Sequence, residues 1–105
     1  MSTSTQMLKG VLDGCLLALI AKGETYGYEI TEKLQEHNFA VVSEGSIYPV
    51  LMRLQKNKFV STVMRKSPSG PQRKYYNITP EGLEELENFR VKWTELSQGV
   101  ISIIN

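Results

Sequence analysis

Two runs rich in Val, Thr, Tyr and Phe, Phe59 to Arg65 and Arg73 to Ile78, enclose the segment Lys66-Ser67-Pro68-Ser69-Gly70-Pro71-Gln72. Strand-forming runs on either side of a Pro/Gly-rich tip specify one β-hairpin. Immediately after it, Thr79-Pro80-Glu81 opens a last helix with three start signals in order. Thr79 is an N-cap hydroxyl, Pro80 stands at the first helical position, and Glu81 is an acid in the first turn.

The rest of the chain reads as helices. From Met7 the apolar positions Leu8, Val11, Leu12, Cys15, Leu16, Leu19 and Ile20 recur at helical spacing, and Gly23 can supply a left-handed C-terminal residue. This first helix is apolar nearly all round, which predicts burial on more than one side. Met1 to Gln6 is a polar end expected to fray. A second helix is expected from about Tyr26 to His37, with Thr25 as N-cap and Tyr26, Ile30 and Leu34 inward. Glu29, Glu32, Lys33 and Glu36 then face water. Phe39 to Val42 is a short β-like stretch. A third helix runs from about Glu44 or Ile47 to Asn57, with Ile47, Val50, Leu51 and Leu54 on its apolar face. Ser46 as N-cap places Pro49 in the first turn, where no hydrogen bond is lost. Ser43 as N-cap loses one bond and predicts a slight bend. The sequence leaves both starts open. Tyr75 and Tyr76 alternate along a strand, so one is expected in the core and the other exposed.

Helix, helix, helix, hairpin, helix is the order of a winged helix-turn-helix with a C-terminal extension. The expected fold class is mainly α with a small β-hairpin. Residues 1–79 form a winged helix-turn-helix DNA-binding unit and residues 80–105 a C-terminal dimerisation helix, within one compact body. In that last helix Leu86, Phe89, Trp93, Leu96, Val100 and Ile103 alternate at spacings of three and four, a seam that something must cover. The first helix can cover part, and the same helix of a second subunit the rest. A monomer with the seam folded back on its own domain is the alternative. Trp93, the only tryptophan, is either a plain core residue or one of a pair that sandwiches a flat apolar ligand near a dimer axis. Gly10 and Gly14 leave a row without side chains on the first helix, read as close helix contact in preference to a cavity.

A net charge of +1 conceals strong segregation. Residues 1–44 and 81–105 each carry a balance of −3, whereas residues 45–80 hold Arg53, Lys56, Lys58, Arg65, Lys66, Arg73 and Lys74 and no acid. Asymmetry of this kind points to an anionic partner; the bland reading is a solvated basic face. In a helix-turn-helix the second helix of the pair enters the major groove of double-stranded DNA. Here that is the third helix, whose outward or flanking residues are Ser46, Tyr48, Pro49, Met52, Arg53 and Lys56. Ser46 and Tyr48 can donate to base edges or phosphates, while Arg53 and Lys56 can neutralise phosphate. Tyr48 also reads as a packing residue, and Glu44 as a helix-capping acid or an acceptor for a cytosine amino group. Arg65, Lys66, Arg73 and Lys74 bracket the hairpin tip, which places cations beside the adjacent minor groove. The competing function is a winged-helix module that binds protein or RNA.

Other classes are poorly supported. One histidine (His37), one cysteine (Cys15), no phosphate-binding glycine loop and no metal-ligand spacing leave little for catalysis, so neither an enzyme nor a cofactor is expected. His37 is expected at the surface near a helix end, and Cys15 as an inert core thiol suited to a reducing compartment. The longest apolar run, Cys15 to Ala21, is far below a membrane span, and no secretory leader precedes it. A cytoplasmic location without a membrane partner is expected.

Three stretches resemble the PadR family of transcriptional regulators. They are Tyr26-Gly27-Tyr28-Glu29-Ile30, then Gly45-Ser46-Ile47-Tyr48-Pro49-Val50-Leu51-Met52-Arg53-Leu54, then Gly70-Pro71-Gln72-Arg73-Lys74-Tyr75-Tyr76-Asn77-Ile78-Thr79-Pro80-Glu81-Gly82. The resemblance covers about residues 8–95. It implies a dimeric winged-helix repressor that releases its operator when a small molecule binds. It also places Ser46, Tyr48 and Pro49 at the DNA surface and Arg73 and Lys74 on the wing. With a single C-terminal helix the chain is similar to the short branch of the family. In multidrug-responsive members of that branch, a tryptophan at the place of Trp93 stacks on planar aromatic drugs at the dimer interface. The implied effector and dimer surface includes Met7, Gly10, Asp13, Gly14 and Ser97, together with the seam residues Phe89, Leu96 and Val100. Arg90 stands where those relatives carry an aromatic.

Overall fold

The computed structural model describes residues 10–39 and 42–105. Its elements in chain order are α1 (Leu12–Ala21), β1 (Thr25–Tyr26), α2 (Gly27–Glu36), α3 (Glu44–Lys56), β2 (Val60–Lys66), β3 (Gln72–Ile78) and α4 (Pro80–Ile104). The expected helix start at Met7 and the polar end before it lie outside the described residues. Within α1, Leu12, Leu16, Leu17 and Ile20 are buried, and Cys15, Ala18, Leu19 and Ala21 pack partly against the same core. A helix this apolar meets neighbours on several sides, as its composition predicts. It ends where Gly23 takes φ 151° and its N–H donates to the Ile20 carbonyl at 3.1 Å. Burial pushes the Cys15 thiol pKa up, so it stays a protonated core thiol.

The expected N-cap at Thr25 is corrected. Thr25 and Tyr26 form β1, which pairs antiparallel with β3, Thr25 opposite Tyr76 and Tyr26 opposite Tyr75. Helix α2 therefore begins at Gly27, with Tyr26 as N-cap and no capping side chain. Two residues are too few to show a period of two, and their pairing partner lies about fifty residues on, so local pattern carries no trace of this strand. Ile30 and Leu34 are buried as expected, whereas Tyr26 is only half-buried. His37 is exposed just past α2, its Nδ1–H donating to the Lys33 carbonyl at 2.8 Å. The third strand of the sheet is β1, in the order β1-β3-β2, and not the stretch from Phe39 to Val42. Neither Phe39 nor Val42 lies in a strand, and Ala40 and Val41 fall outside the described residues.

The two starts considered for the third helix resolve in favour of Ser43. Its backbone N–H donates to the Ser46 hydroxyl at 3.4 Å, and the two hydroxyls stand 3.1 Å apart. Pro49 thus sits inside α3 and leaves the Gly45 carbonyl without its usual helical donor. Both α2 and α3 end with a non-glycine residue in the left-handed region, Asn38 at φ 71° and Lys58 at φ 64°. In each case the next residue, Phe39 or Phe59, donates back to the helix at 3.0 Å.

The hairpin and α4 meet tightly. The Thr79 hydroxyl accepts from the Gly82 N–H at 3.0 Å and donates to the Lys58 carbonyl at 2.7 Å. A Cβ on Gly82 would overlap the Phe59 carbonyl oxygen, so only glycine lets the start of α4 lie against the base of β2. Farther along, Leu86 is buried and Phe89 half-buried. Beyond them Trp93, Leu96, Val100 and Ile103 are 46%, 62%, 47% and 84% exposed, so the described residues cover the seam only as far as Phe89. No helix among the described residues is long and apolar enough to cross a membrane. Replacing Thr79 by Ala removes both bonds of its hydroxyl and should cost about 1–2 kcal/mol, whereas Thr79→Ser should retain most of the stability. Thermal unfolding of the two variants at one fixed protein concentration checks this.

Candidate nucleic-acid interface

Burial of Ile47, Val50, Leu51 and Leu54 fixes the orientation of α3. At 3.6 residues per turn the opposite stripe is Gly45, Pro49, Met52 and Lys56, all exposed. The expected site residues Pro49 and Lys56 therefore point straight out, with Met52 between them. The others lie on the flanks. On one side Tyr48 leans toward the start of α2, its hydroxyl 3.3 Å from where a Cβ on Gly27 would stand, while half of the residue remains exposed. Its packing role and its accessibility thus coexist. On the other side the Ser46 hydroxyl is engaged at the cap, and Arg53 turns to Asp13 of α1. That pair is bidentate, Nε to Oδ2 at 3.2 Å and Nη2 to Oδ1 at 2.7 Å. Asp13, expected on an effector surface, thus holds a guanidinium of α3.

The wing is built by β2 and β3, with Arg65 opposite Arg73, Met64 opposite Lys74 and Lys66 opposite Gln72. Alternation along the strands places Lys66 and Lys74 on the face shared with Val60 and Tyr76, which is the face turned to the helices. Arg65 and Arg73 share the opposite face with Tyr75. Arg65 is bonded to Glu24 at 2.8 and 3.0 Å, and the Asn77 amide donates to the same carboxylate at 3.0 Å. These bonds, led by that from Arg65, hold the Glu24 carboxyl below its ordinary range. A depressed carboxylate contributes its bonds fully at neutral pH and loses them only as pH falls through the lowered value. Arg73 lies 4.5 Å from the centre of the Tyr26 ring, which stacks edge-on against Tyr75. At the tip the Ser67 N–H donates to the Pro71 carbonyl at 2.9 Å, and Gly70 adopts φ 111°.

Between the start of α2, the Tyr48 flank of α3 and the outer half of β3 lies a cleft of about 190 Å³. Its walls are Tyr26, Gly27, Tyr28, Tyr48, Gln72, Arg73, Lys74 and Tyr76. Tyr76 is the core tyrosine of the adjacent pair, 2% exposed, while Tyr75 is half-buried where full exposure was expected. Burial, reinforced by the neighbouring Tyr48, raises the Tyr76 phenol pKa, so it remains a donor. Tyr26, Tyr28, Gln72 and Tyr76 were absent from the sequence-derived site. The Tyr-Gly-Tyr stretch was a usable signal for the first two, but nothing local ties it to β3.

The expected effector residues separate. A Cβ on Gly14 would overlap the Phe89 ring, which makes Gly14 a close helix contact, whereas Gly10 faces open space. Trp93, Leu96 and Val100 are exposed along α4; Ser97 is half-buried, its hydroxyl donating to the Thr94 carbonyl at 3.2 Å. Met7 lies outside the described residues. Among those that are described, no group of His, Cys, Asp and Glu side chains could hold a metal ion.

Comparison with known proteins bears on this arrangement. The family model for the transcriptional regulator PadR-like family matches residues 16–88. The crystal structure of a PadR-like transcriptional regulator from Bacillus cereus is similar at TM-score 0.86 and 51% identity, over 95% of this chain and 97% of that one. A negative transcriptional regulator, PadR of Bacillus subtilis, is 28% identical over 86% of this chain and 50% of its own length. The structure of Bacillus subtilis PadR in complex with operator DNA is similar at TM-score 0.71 and 30% identity, over 77% of this chain and 47% of that one. The winged helix-turn-helix expected from the order of elements is the fold these structures share. The chain belongs to the PadR-like family, a family of transcriptional regulators and not of enzymes.

Proposed function

We propose that this chain is a homodimeric repressor that binds double-stranded operator DNA. The observation that carries this reading is the acid-free reading head: the exposed stripe Gly45, Pro49, Met52 and Lys56 beside a wing bearing Lys66, Arg73 and Lys74. In this reading α3 enters the major groove with Pro49, Met52 and Lys56 foremost and Ser46 and Tyr48 at its edges. Lys66, Arg73 and Lys74 neutralise phosphates beside the neighbouring minor groove. Arg53 and Arg65 are held by carboxylates, so a phosphate has to compete with Asp13 and Glu24 for them. Exposed ion pairs of this kind contribute about 0–1 kcal/mol, little enough for a polyanion to displace. The PadR–operator complex and the negative regulator from Bacillus subtilis support the reading by likeness.

Dimerisation through α4 buries Trp93, Leu96, Val100 and Ile103 on a second copy and presents two reading heads to a palindromic site. Paired Trp93 rings at that interface form the place for a planar aromatic effector, with Gly10 and Ser97 nearest along the same faces.

Each phosphate contact contributes about 0.9 to the slope of log affinity against log salt. Lys66→Ala with Lys74→Ala should therefore flatten the slope by about 1.8 per subunit, measured by fluorescence anisotropy on duplexes from the upstream region of the gene. Failure to bind any duplex at low salt would end the operator reading, and tighter binding to structured RNA would favour the RNA-binding alternative. Glu24→Gln removes the competing carboxylate and should steepen the slope. For the seam, Val100→Glu should give a monomer in sedimentation and lose DNA affinity. Planar cationic dyes should quench Trp93 emission and leave Trp93→Ala unaffected; unchanged wild-type emission across a dye panel counts against the effector.

A further inference from the structure

The cleft beside Tyr48 has the chemistry of an anion site. Helix α2 begins there at Gly27 with no capping side chain, so its first N–H groups carry unneutralised partial positive charge. Arg73 and Lys74 add two full charges, and no carboxylate lines the walls. Tyr76 supplies the independent observation. Although it is 98% buried, its hydroxyl makes no hydrogen bond to a described residue. No fully enclosed side-chain polar atom among the described residues lacks a partner, so this hydroxyl must meet solvent, and the opening that Tyr76 lines is the cleft. A buried tyrosine normally gives its O–H to an acceptor. The acceptor missing here is one that would also satisfy the α2 N–H groups and the Lys74 ammonium.

We propose that this cleft binds a phosphate oxyanion, held by the Gly27 and Tyr28 N–H groups, the Tyr76 and Tyr48 hydroxyls and Lys74. The site rests on the operator reading for its natural source, a backbone phosphodiester clamped between the first helix of the pair and the wing. A free phosphate ion offers the same oxygens. The clamp sets the depth of α3 in the groove, because the phosphate is gripped from α2, α3 and β3 at once.

Two measurements on wild type and Tyr76→Phe test this. Dispersed amide spectra confirm that the variant is folded. In the first, inorganic phosphate is titrated without DNA; the Gly27 and Tyr28 amide resonances should shift and saturate in wild type and respond weakly in the variant. In the second, single methylphosphonates are walked along the tightest duplex. At one position per half-site the substitution should weaken wild type about tenfold and Tyr76→Phe no more than about threefold, the mark of one shared charge-assisted bond. Equal penalties in both proteins at every position, with no amide shifts, overturn the site while duplex binding keeps the operator reading intact. Saturable shifts with equal penalties retain the phosphate site and overturn its DNA source. Saturable shifts in a protein that binds no duplex retain the site as one for a free anion and remove the operator reading.

Discussion

Pairing of Thr25 and Tyr26 with Tyr76 and Tyr75 determines where the wing stands relative to the helices. β1 has only two residues, yet α2 leaves from its end without an intervening loop, so the axis of α2 is set from β3. On the inner face of the same strand Tyr76 enters the core with Val60, and Ile78 packs partly against it. On the outer face Tyr26 and Tyr75 meet edge-to-face with ring centres 5.2 Å apart. Because α3 packs on α2 and α1, the outward stripe of α3 and the cations of the wing share one rigid reference. A reading head with two contact elements needs such a reference, since DNA offers its grooves at a fixed spacing.

Electrostatics adds a second layer of positioning. The cationic middle segment is not uniformly available, because Arg53 and Arg65 are each gripped in bidentate fashion by an acid from the N-terminal segment. Pairs this exposed contribute little to stability. Their effect is directional: Glu24, joined by Asn77, ties the root of the wing to the turn before β1, and Asp13 ties α3 to α1. The acids of residues 1–44 that offset the cations in the formal charge are therefore, at these two positions, part of the frame that holds the cationic surface in shape.

Much of this frame was legible in the sequence, and the missing parts share a physical cause. The hairpin, the start of α4 at Thr79-Pro80 and the inner face of α3 follow from local turn chemistry and periodicity, and they stand where expected. The partners of Arg53 and Arg65 lie 40 and 41 residues away, a distance over which no local pattern operates. β1 was read as a helix cap because Thr25 precedes a good helical pattern and its strand partner is remote. Gly10 and Gly14 look alike in sequence but differ in the fold, since Phe89 of α4 sits over only one of them. The cleft at Tyr76 was equally hidden, because its walls come from three elements joined only by the tertiary fold.

Helix α4 carries the remaining constraint. At 25 residues it is about 38 Å long, and from Trp93 onward its apolar row is exposed. Exposed apolar surface of this extent marks an interaction site more often than a monomer's skin. The inner end of that row is anchored without slack, since the Phe89 ring fills the space that a Cβ on Gly14 would need. The preceding residue on α1 is Asp13, which grips Arg53 of α3. A displacement of α4 along α1 thus acts first on a contact with no room to yield and then, one peptide away, on the bidentate hold upon the reading helix. The close packing of glycine against phenylalanine makes α1 a short mechanical bridge between the open seam and the cationic face.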